Sequence, residues 1–472
     1  MKRVVKMSKI IEKFNEICKQ NPNEIAFYYL NKKKLNKKTF KEVLDETNAT
    51  ANALKKQGIK KGDKILAFAQ PNYNLCIFMM ASFKIGASIM YIDVFAKQDK
   101  FKNIFEKYTP KYILVSNKTN LLKPFFKLIN QIPNVININN IKLLNIKTKY
   151  DNIPDSNLAL LTTTTGQTGI PKIYLRTQKD LYNQLEVIMN NIEKKNTKVV
   201  LTTSFMYIFA NLLLGFTTII PNINLRKNEK TINRKLEKFK NIDIDTLITS
   251  PDFLIKANNY FPKLKNIYFG GAILNYNEAN LIKNKFSKAN IYYTYGSTEC
   301  NIISVNKLPD YIRYLEKHHE NNLGKIVKGV KVTIGENQEI IVSGKNLLTS
   351  YIGGNTSQQN YNTNDNGYIK NNNLIYLGRT NSNTIINKTK VYYNQIEQEV
   401  ILNNKQIKKC AFIEKNNQHY LFVQKCKFNK KKVINEIQQK YSIKLTLKTI
   451  TKIPCDIKHH TKIDYKKLKR MI

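Results

Sequence analysis

Short β-branched and aromatic runs recur along the first two thirds of the chain, separated by longer amphipathic or apolar stretches. KILAFAQ from Lys64 is followed by LCIFMMASFKIGA from Leu75 and SIMYIDV from Ser88. Further on come YILVS from Tyr112, TLITS from Thr246 and NIYFGG from Asn266. Runs of about four to eight such residues bounded by turn residues predict buried strands, and the stretches between them predict helices. Strand–helix alternation of this kind makes a mostly parallel sheet covered by helices, an α/β fold. Its Gly-rich and polar turns fall after the strands, where such folds hold ligands.

From Val199 to Ile220 the chain carries no charge, and the length would suffice to cross a bilayer. The pattern divides it instead: β-branched VVLTT predicts a strand, SFMY a loop, and IFANLLLGFTTII an apolar helix, with Asn211 and Gly215 arguing against a membrane span. Beyond Leu315 the texture changes to short strands with turn signals (KVTI, EIIVSG, LIYLG), which predicts a small β-rich subdomain. The final ninety or so residues (QIEQEVILNN, AFIEK, HYLFVQ, KKVINEIQQKY) fit a compact α+β unit. The expected organisation is an N-terminal domain over residues 1–379 and a small mobile C-terminal domain over 380–472, with a hinge near Thr380 and Asn381.

Composition changes this picture little. A net charge of +44, from 78 Lys+Arg against 34 Asp+Glu, ordinarily points to nucleic acid or an anionic membrane. Nearly all of the excess is lysine, spread over the whole chain beside abundant Asn and Ile, the pattern of a codon bias rather than a selected patch. No nucleic-acid partner is therefore expected, and no transmembrane span, while peripheral membrane contact stays compatible with the charge. The six cysteines are scattered, with no CxxC pair and no His at metal-ligand spacing, which suits thiols in a reducing cytoplasm. No secretory leader is apparent, because Lys, Glu and Asn interrupt the apolar residues of the first turns.

The strongest chemical signal is LALLTTTTGQTGIPK, Leu158 to Lys172. An apolar strand runs into Thr162, Thr163, Thr164, Thr165, Gly166, Gln167, Thr168 and Gly169, then Pro171 and Lys172. Small hydroxyl and glycine residues let backbone N–H groups approach phosphate oxygens, and the lysine can neutralise their charge. It is not the GxxxxGK[ST] loop, because the lysine follows a proline and no Ser or Thr succeeds it.

This segment resembles the [ST][ST]G[ST]TGxPK phosphate loop of the adenylate-forming superfamily, which includes acyl-CoA synthetases, luciferases and peptide-synthetase adenylation domains. Other segments resemble that family's motifs in the same order. Tyr295-Gly296-Ser297-Thr298-Glu299 looks like YGxTE, which implies that Glu299 helps hold Mg²⁺ and Thr298 meets a nucleotide phosphate. Gly270-Gly271-Ala272 resembles the loop that packs on adenine. EIIVSGKNLLTSYIGG from Glu339 resembles GELxVRGPxxxxGY, and Thr363-Asn364-Asp365 resembles TGD, whose Asp takes the ribose hydroxyls. Gly378-Arg379 matches the GR before the hinge. His460-Thr461-Lys462-Ile463-Asp464 resembles GKIDR, which implies that Lys462 bridges the acyl carboxylate and the α-phosphate. Together these segments cover roughly residues 20 to 470.

The chemistry of the residues agrees. A carboxylate attacking an α-phosphate brings two anions together, so cations and N–H donors are needed where charge accumulates. The resemblance implies ATP and Mg²⁺, an acyl-adenylate, and CoA or an acyl-carrier thiol as acceptor. FMYIFANLLLGFTTIIPNIN from Phe205 resembles segments of fatty acyl-CoA ligases and olefin-pathway β-lactone synthetases, which implies a hydrophobic acid. Three departures stand out: Asn364 and Thr461 each replace a family Gly, and Lys388 falls where CoA-using members keep a Gly beside the pantetheine tunnel. Tyr207 stands about where many members have a His. Two rival readings remain: internal attack by a β-hydroxyl to give a β-lactone, and a non-catalytic basic binding protein on a degenerate adenylation fold.

Overall fold

The computed structural model describes residues 8–31, 34–92, 105, 108–144, 146, 150, 152–163, 173–348, 350–352, 359–456 and 462–472. The chain divides into two compact units. Unit one comprises residues 1–222, 298–301 and 345–359; unit two comprises 223–297, 302–344 and 360–472.

Unit one holds a six-stranded sheet in the order Asn134–Asn137, Tyr112–Val115, Lys64–Phe68, Ser88–Tyr91, Leu158–Thr163, Ile173–Thr177. Every pairing is parallel except the last, where Thr163 faces Ile173 across an antiparallel hairpin. Lys64–Phe68 and Tyr112–Val115 are buried almost throughout, which is why they read as continuous apolar runs and not as alternating ones. The helix Tyr73–Ile85 is apolar on nearly all sides and likewise buried, with Asn72 capping its start by accepting from the Leu75 N–H. A second set of strands, Val199–Thr202, Thr217–Ile220 and Ile25–Asn31, is parallel, with Lys34–Thr39 added antiparallel to Ile25–Asn31.

The uncharged stretch from Val199 departs from its expected division. Its helix runs over Phe205–Leu214, so Phe205, Met206 and Tyr207 are helical and not a loop. Thr217–Ile220 is a strand and not the end of the helix. The cause is Gly215, which takes φ +76° as the left-handed C-cap and turns the chain back; the β-branched TTII then joins the sheet.

Unit two begins with three parallel strands, Thr246–Thr249, Asn266–Gly270 and Asn290–Ser297. An antiparallel series continues through Asn301–Lys307, Asn321–Ile326, Asn373–Arg379, Tyr361–Lys370, Glu339–Gly344 and Val330–Ile334, the β-rich portion expected after Leu315. The chain then forms a hairpin (Asn383–Ile386 with Thr389–Tyr392) and a three-stranded sheet (Cys410–Lys415, Gln418–Gln424, Leu445–Ile450). The helices Tyr393–Asn403, Lys430–Tyr441 and Tyr465–Lys469 accompany them. The fold is thus α/β with a β-rich subdomain and a small α+β terminal portion.

This last portion is fastened to the helix Tyr276–Lys285 and to the turn before it. Asn277 Nδ2 donates to the carbonyls of Lys405 and Ile407, both at 2.9 Å. Asn275 Nδ2 donates to the Lys408 carbonyl at 3.1 Å, and Gln398 Nε2 to the Leu274 carbonyl at 2.8 Å. Lys409 Nζ pairs with Glu278 at 3.2 Å.

Candidate active site

In unit one the hairpin of Leu158–Thr163 and Ile173–Thr177 brackets the threonine-glycine segment. Thr164, Thr165, Gly166, Gln167, Thr168, Gly169 and Lys172 lie outside the described residues. The strand that leaves the segment carries an arginine among apolar neighbours. Arg176 is 2% exposed, yet each face of its guanidinium is matched. Nη1 donates to Thr162 Oγ1 at 2.6 Å, Nη2 to the Thr298 carbonyl at 2.9 Å, and Nε to Gln184 Oε1 at 2.8 Å. Gln184, on the helix Gln178–Asn190, passes its amide on to the carbonyls of Glu299 and Asn346, both at 3.0 Å. Burial pulls the guanidinium down to about 10, with Glu299 opposing, so Arg176 is cationic at neutral pH.

The bonds from Arg176 and Gln184 hold the main-chain carbonyls of Thr298 and Glu299, two of the expected site residues. The Glu299 side chain is buried and lies near the Tyr174 phenol, whose proton it helps retain. Burial, with Glu299 adding to it, pushes that phenol upward, which keeps it protonated. One carboxylate completed by phosphate oxygens and water is a donor set that suits Mg²⁺, so Glu299 fits the role the resemblance implies. Sequence reading missed Arg176, Gln184 and Tyr174. The available signal was an arginine inside an otherwise apolar strand directly after the threonine-glycine segment.

Unit two brings together a second group. Asp365 and Arg379 are cross-strand partners in the pairing of Tyr361–Lys370 with Asn373–Arg379. Their side chains form an ion pair, Arg379 Nε to Asp365 Oδ1 at 2.9 Å. Tyr295 reaches Asp365 Oδ2 from the strand Asn290–Ser297, its hydroxyl donating at 2.6 Å. Oδ1, ion-paired with Arg379, is buried and accepts no directed hydrogen bond among the described residues. Burial pushes the Asp365 carboxyl up, and Arg379, Tyr295 and Lys462 pull it back; burial is the larger effect. Asn364, the departure from TGD, adopts φ +58°. The position demands a left-handed backbone, which asparagine tolerates better than most side chains.

Gly270, at the end of Asn266–Gly270, lies against the next strand. A Cβ there would come within 2.3 Å of the Thr294 carbonyl oxygen. This glycine is thus required by strand packing. Gly271 follows with φ +105° and Ala272 is buried, its carbonyl accepting from Tyr293 at 2.8 Å. Gly296 is exposed and Ser297 half-buried at the end of their strand.

Lys462 is half-buried, and its charge is felt at Asp365, so the two residues share one neighbourhood of unit two. The Lys462 carbonyl accepts from the Asp456 N–H at 2.8 Å, and Cys455 and Ile463 form an antiparallel bridge. Thr461 lies outside the described residues. Lys388 is exposed at a two-residue turn whose members Asn387 and Lys388 have φ +50° and +64°. Thr380 is tied by its hydroxyl to Asn366 Oδ1 at 2.7 Å.

Unit one thus holds a pinned Thr-Glu segment whose glutamate is buried, and unit two an Asp–Tyr–Arg group near a lysine, features suited to a nucleotide-dependent enzyme. Residues 14–352 match the model of the AMP-binding enzyme family, and the chain belongs to that family. It is an AMP-forming ligase of the adenylate-forming kind. D-alanine–D-alanyl carrier protein ligase of Staphylococcus aureus is 22% identical over 419 residues, covering 84% of this chain and 82% of the relative. Among solved structures, o-succinylbenzoate CoA synthetase from Bacillus subtilis, in complex with ATP and magnesium ion, aligns with TM-score 0.77 at 17% identity, covering 97% of this chain and 99% of the other. A Mycobacterium tuberculosis fatty acyl CoA synthetase aligns with TM-score 0.69 at 14% identity over 98% of each chain. No helix among the described residues is long and apolar enough to cross a membrane.

Proposed function

We propose that the protein activates a hydrophobic carboxylic acid, a fatty acid in the first instance, and transfers the acyl group to a thiol. The acid's carboxylate oxygen attacks the α-phosphorus of ATP; the bond to the bridging β-phosphate oxygen breaks, and pyrophosphate leaves. A thiolate then attacks the acyl carbonyl and AMP departs. Asp365 takes the ribose hydroxyls, with Tyr295 and Arg379 holding its orientation. Gly270, Gly271, Ala272, Tyr295, Gly296 and Ser297 line the nucleotide, and Thr164 to Gly169 with Lys172 take the phosphates. Glu299 would hold Mg²⁺, which supplies positive charge to the phosphates, and Thr298 meets a phosphate oxygen. Lys462 offsets the charge that accumulates between carboxylate and α-phosphate, an electrostatic contribution made where it is most effective.

The observation that carries this reading is the buried Asp365, oriented by a tyrosine and an arginine, with the charge of the C-terminal lysine felt at it. The terminal portion from residue 380 acts as a mobile domain that delivers Lys462 and then rotates about Thr380 and Asn381. Such alternation lets one site serve two reactions. A relative named for a carrier protein and a neighbour named for CoA support a thiol acceptor. Lys388 at a position where CoA users keep a glycine favours a second reading, in which a β-hydroxyl of the substrate displaces AMP and forms a β-lactone.

The test is ATP–pyrophosphate exchange over a panel of carboxylic acids, followed by product mass with a fatty acid and CoA, and with a β-hydroxy fatty acid without CoA. Acid-dependent exchange that favours long apolar acids supports the proposal. Exchange only with amino acids or acetate overturns the hydrophobic acid, and product mass decides between thioester and lactone.

A further inference from the structure

The six-stranded sheet of unit one ends at Asn134–Asn137, and the chain reaches that edge through three short helical turns, Asn117–Leu122, Lys123–Phe125 and Lys127–Asn130. Their inner face is anchored: Ile129 and Ile132 are core residues, and Phe126 packs edge-on against Phe68 with ring centroids 5.1 Å apart. Their outer face is apolar as well. Leu121 is 75% exposed, Leu122 41% and Phe125 73%. Of these adjacent phenylalanines, Phe126 packs against the core while Phe125 is largely exposed. Lone exposed apolar residues need no explanation, but three within five residues on one protruding turn do.

Charge says what covers them. From Lys107 to Tyr150 there is no Asp or Glu, whereas eight lysines occur in that stretch. Lys118, Lys123 and Lys127 punctuate the apolar turn itself. Lysine-rich runs occur elsewhere too, with ten lysines and Glu436 alone from Lys415 to Cys455; this stretch is set apart by having no acid beside three exposed apolar side chains. Exposed bulky apolar side chains interleaved along the sequence with lysines and no acids match the boundary of an anionic bilayer, where apolar tips enter the acyl region and ammonium groups stay with the headgroups.

We propose that Leu121, Leu122 and Phe125, with Lys118, Lys123 and Lys127, form a shallow docking surface for anionic lipid membranes. The protein rests on the bilayer through this turn and does not span it. The inference stands apart from the identity of the acid: it would hold for an aryl substrate, and a fatty substrate could be used without it.

The chain has no tryptophan, so Phe125→Trp installs a single fluorophore on the turn. On adding phosphatidylcholine vesicles mixed with phosphatidylglycerol, its emission is expected to shift to the blue and to be quenched by brominated acyl chains. Pure phosphatidylcholine should do neither. In cosedimentation, Leu121→Gln/Phe125→Gln should weaken binding at least about ten-fold, and Lys118→Gln/Lys123→Gln/Lys127→Gln by about five-fold per lysine at low salt. Melting temperature and exchange activity in solution should be unchanged. The proposal is overturned by absence of binding, by a fluorophore that stays in water, or by binding equal in wild type and apolar variant, which would assign it to bulk charge alone. It is also overturned if light scattering shows a wild-type dimer that Leu121→Gln/Phe125→Gln converts to monomer, which would make a second copy the occupant.

Discussion

Arg176 donates to the carbonyl oxygen of Thr298 at 2.9 Å, while the same guanidinium holds Thr162 at 2.6 Å. The strand that enters the threonine-glycine segment and the strand that leaves it are thus bound to the Thr-Glu pair by one buried cation. Arg176→Met would leave three acceptors of the cluster without their donor. Each orphaned buried acceptor costs about 1–3 kcal/mol, so a lower melting temperature is expected. Arg176→Lys, which keeps the charge and loses the fork, should melt close to wild type. It should nevertheless need more Mg²⁺ for half-maximal exchange, with AMP affinity unchanged. An unaltered Mg²⁺ requirement in the lysine variant would reduce Arg176 to a packing role.

Asp365 is the predicted ribose ligand. Asp365→Ala should weaken AMP binding by about ten-fold or more, the worth of one or two charge-assisted hydrogen bonds. Tyr295→Phe removes only the donor to Oδ2 and should weaken it less. Calorimetric titration with AMP, without acid or metal, measures both. Equal, small effects would show that the carboxylate serves Arg379 alone.

Lys462→Ala should lower acid-dependent exchange by about 10²–10³-fold, the scale of removing one electrostatic donor from a transition state. AMP binding should stay within about two-fold of wild type, since the ammonium is assigned to the reacting centre. Full exchange in this variant would place the catalytic cation elsewhere.

Glu397 lies buried in the helix Tyr393–Asn403, accepting from the Phe412 N–H at 2.9 Å and the Tyr465 hydroxyl at 2.8 Å. Burial raises its carboxyl to about 7, with these two donors opposing. A raised folded value means that the unfolded chain releases this proton at lower pH. The group's contribution to stability is present below the ordinary carboxylate range and is lost as pH rises towards 7. Denaturation across pH 5 to 8 should show a decline of roughly 1–3 kcal/mol attributable to this group. Glu397→Gln, which keeps an acceptor for both donors, should remove that decline. Parallel curves would mean that the carboxylate is solvated or paired in solution.

Much of this was legible in the sequence because apolar runs and motif order survive compositional bias. KILAF, YILV and TLIT are each strands where the pattern put them. The strand Tyr361–Lys370 was harder, since its Asn-rich YNTNDNGYIK has low strand propensity. It is held by pairing on both sides, with Glu339–Gly344 and Asn373–Arg379. TTII failed for a related reason: apolar composition alone cannot separate a buried helix from a buried strand, and Gly215 had to be weighed as a stop. The Asp365–Arg379 pair was named residue by residue, but its geometry depends on register, which no local pattern carries. The Arg176 cluster was invisible for the same reason, because its partners lie up to 122 positions away.

The amides of Asn277, Asn275 and Gln398 that secure the terminal portion all reach main-chain oxygens, at Lys405, Ile407, Lys408 and Leu274. Point substitutions leave peptide oxygens in place. A lineage drifting towards lysine, isoleucine and asparagine can rewrite the acceptor side of such a latch without dismantling it. Water can satisfy the same oxygens, so the rotation proposed for the terminal portion would leave none of them stranded.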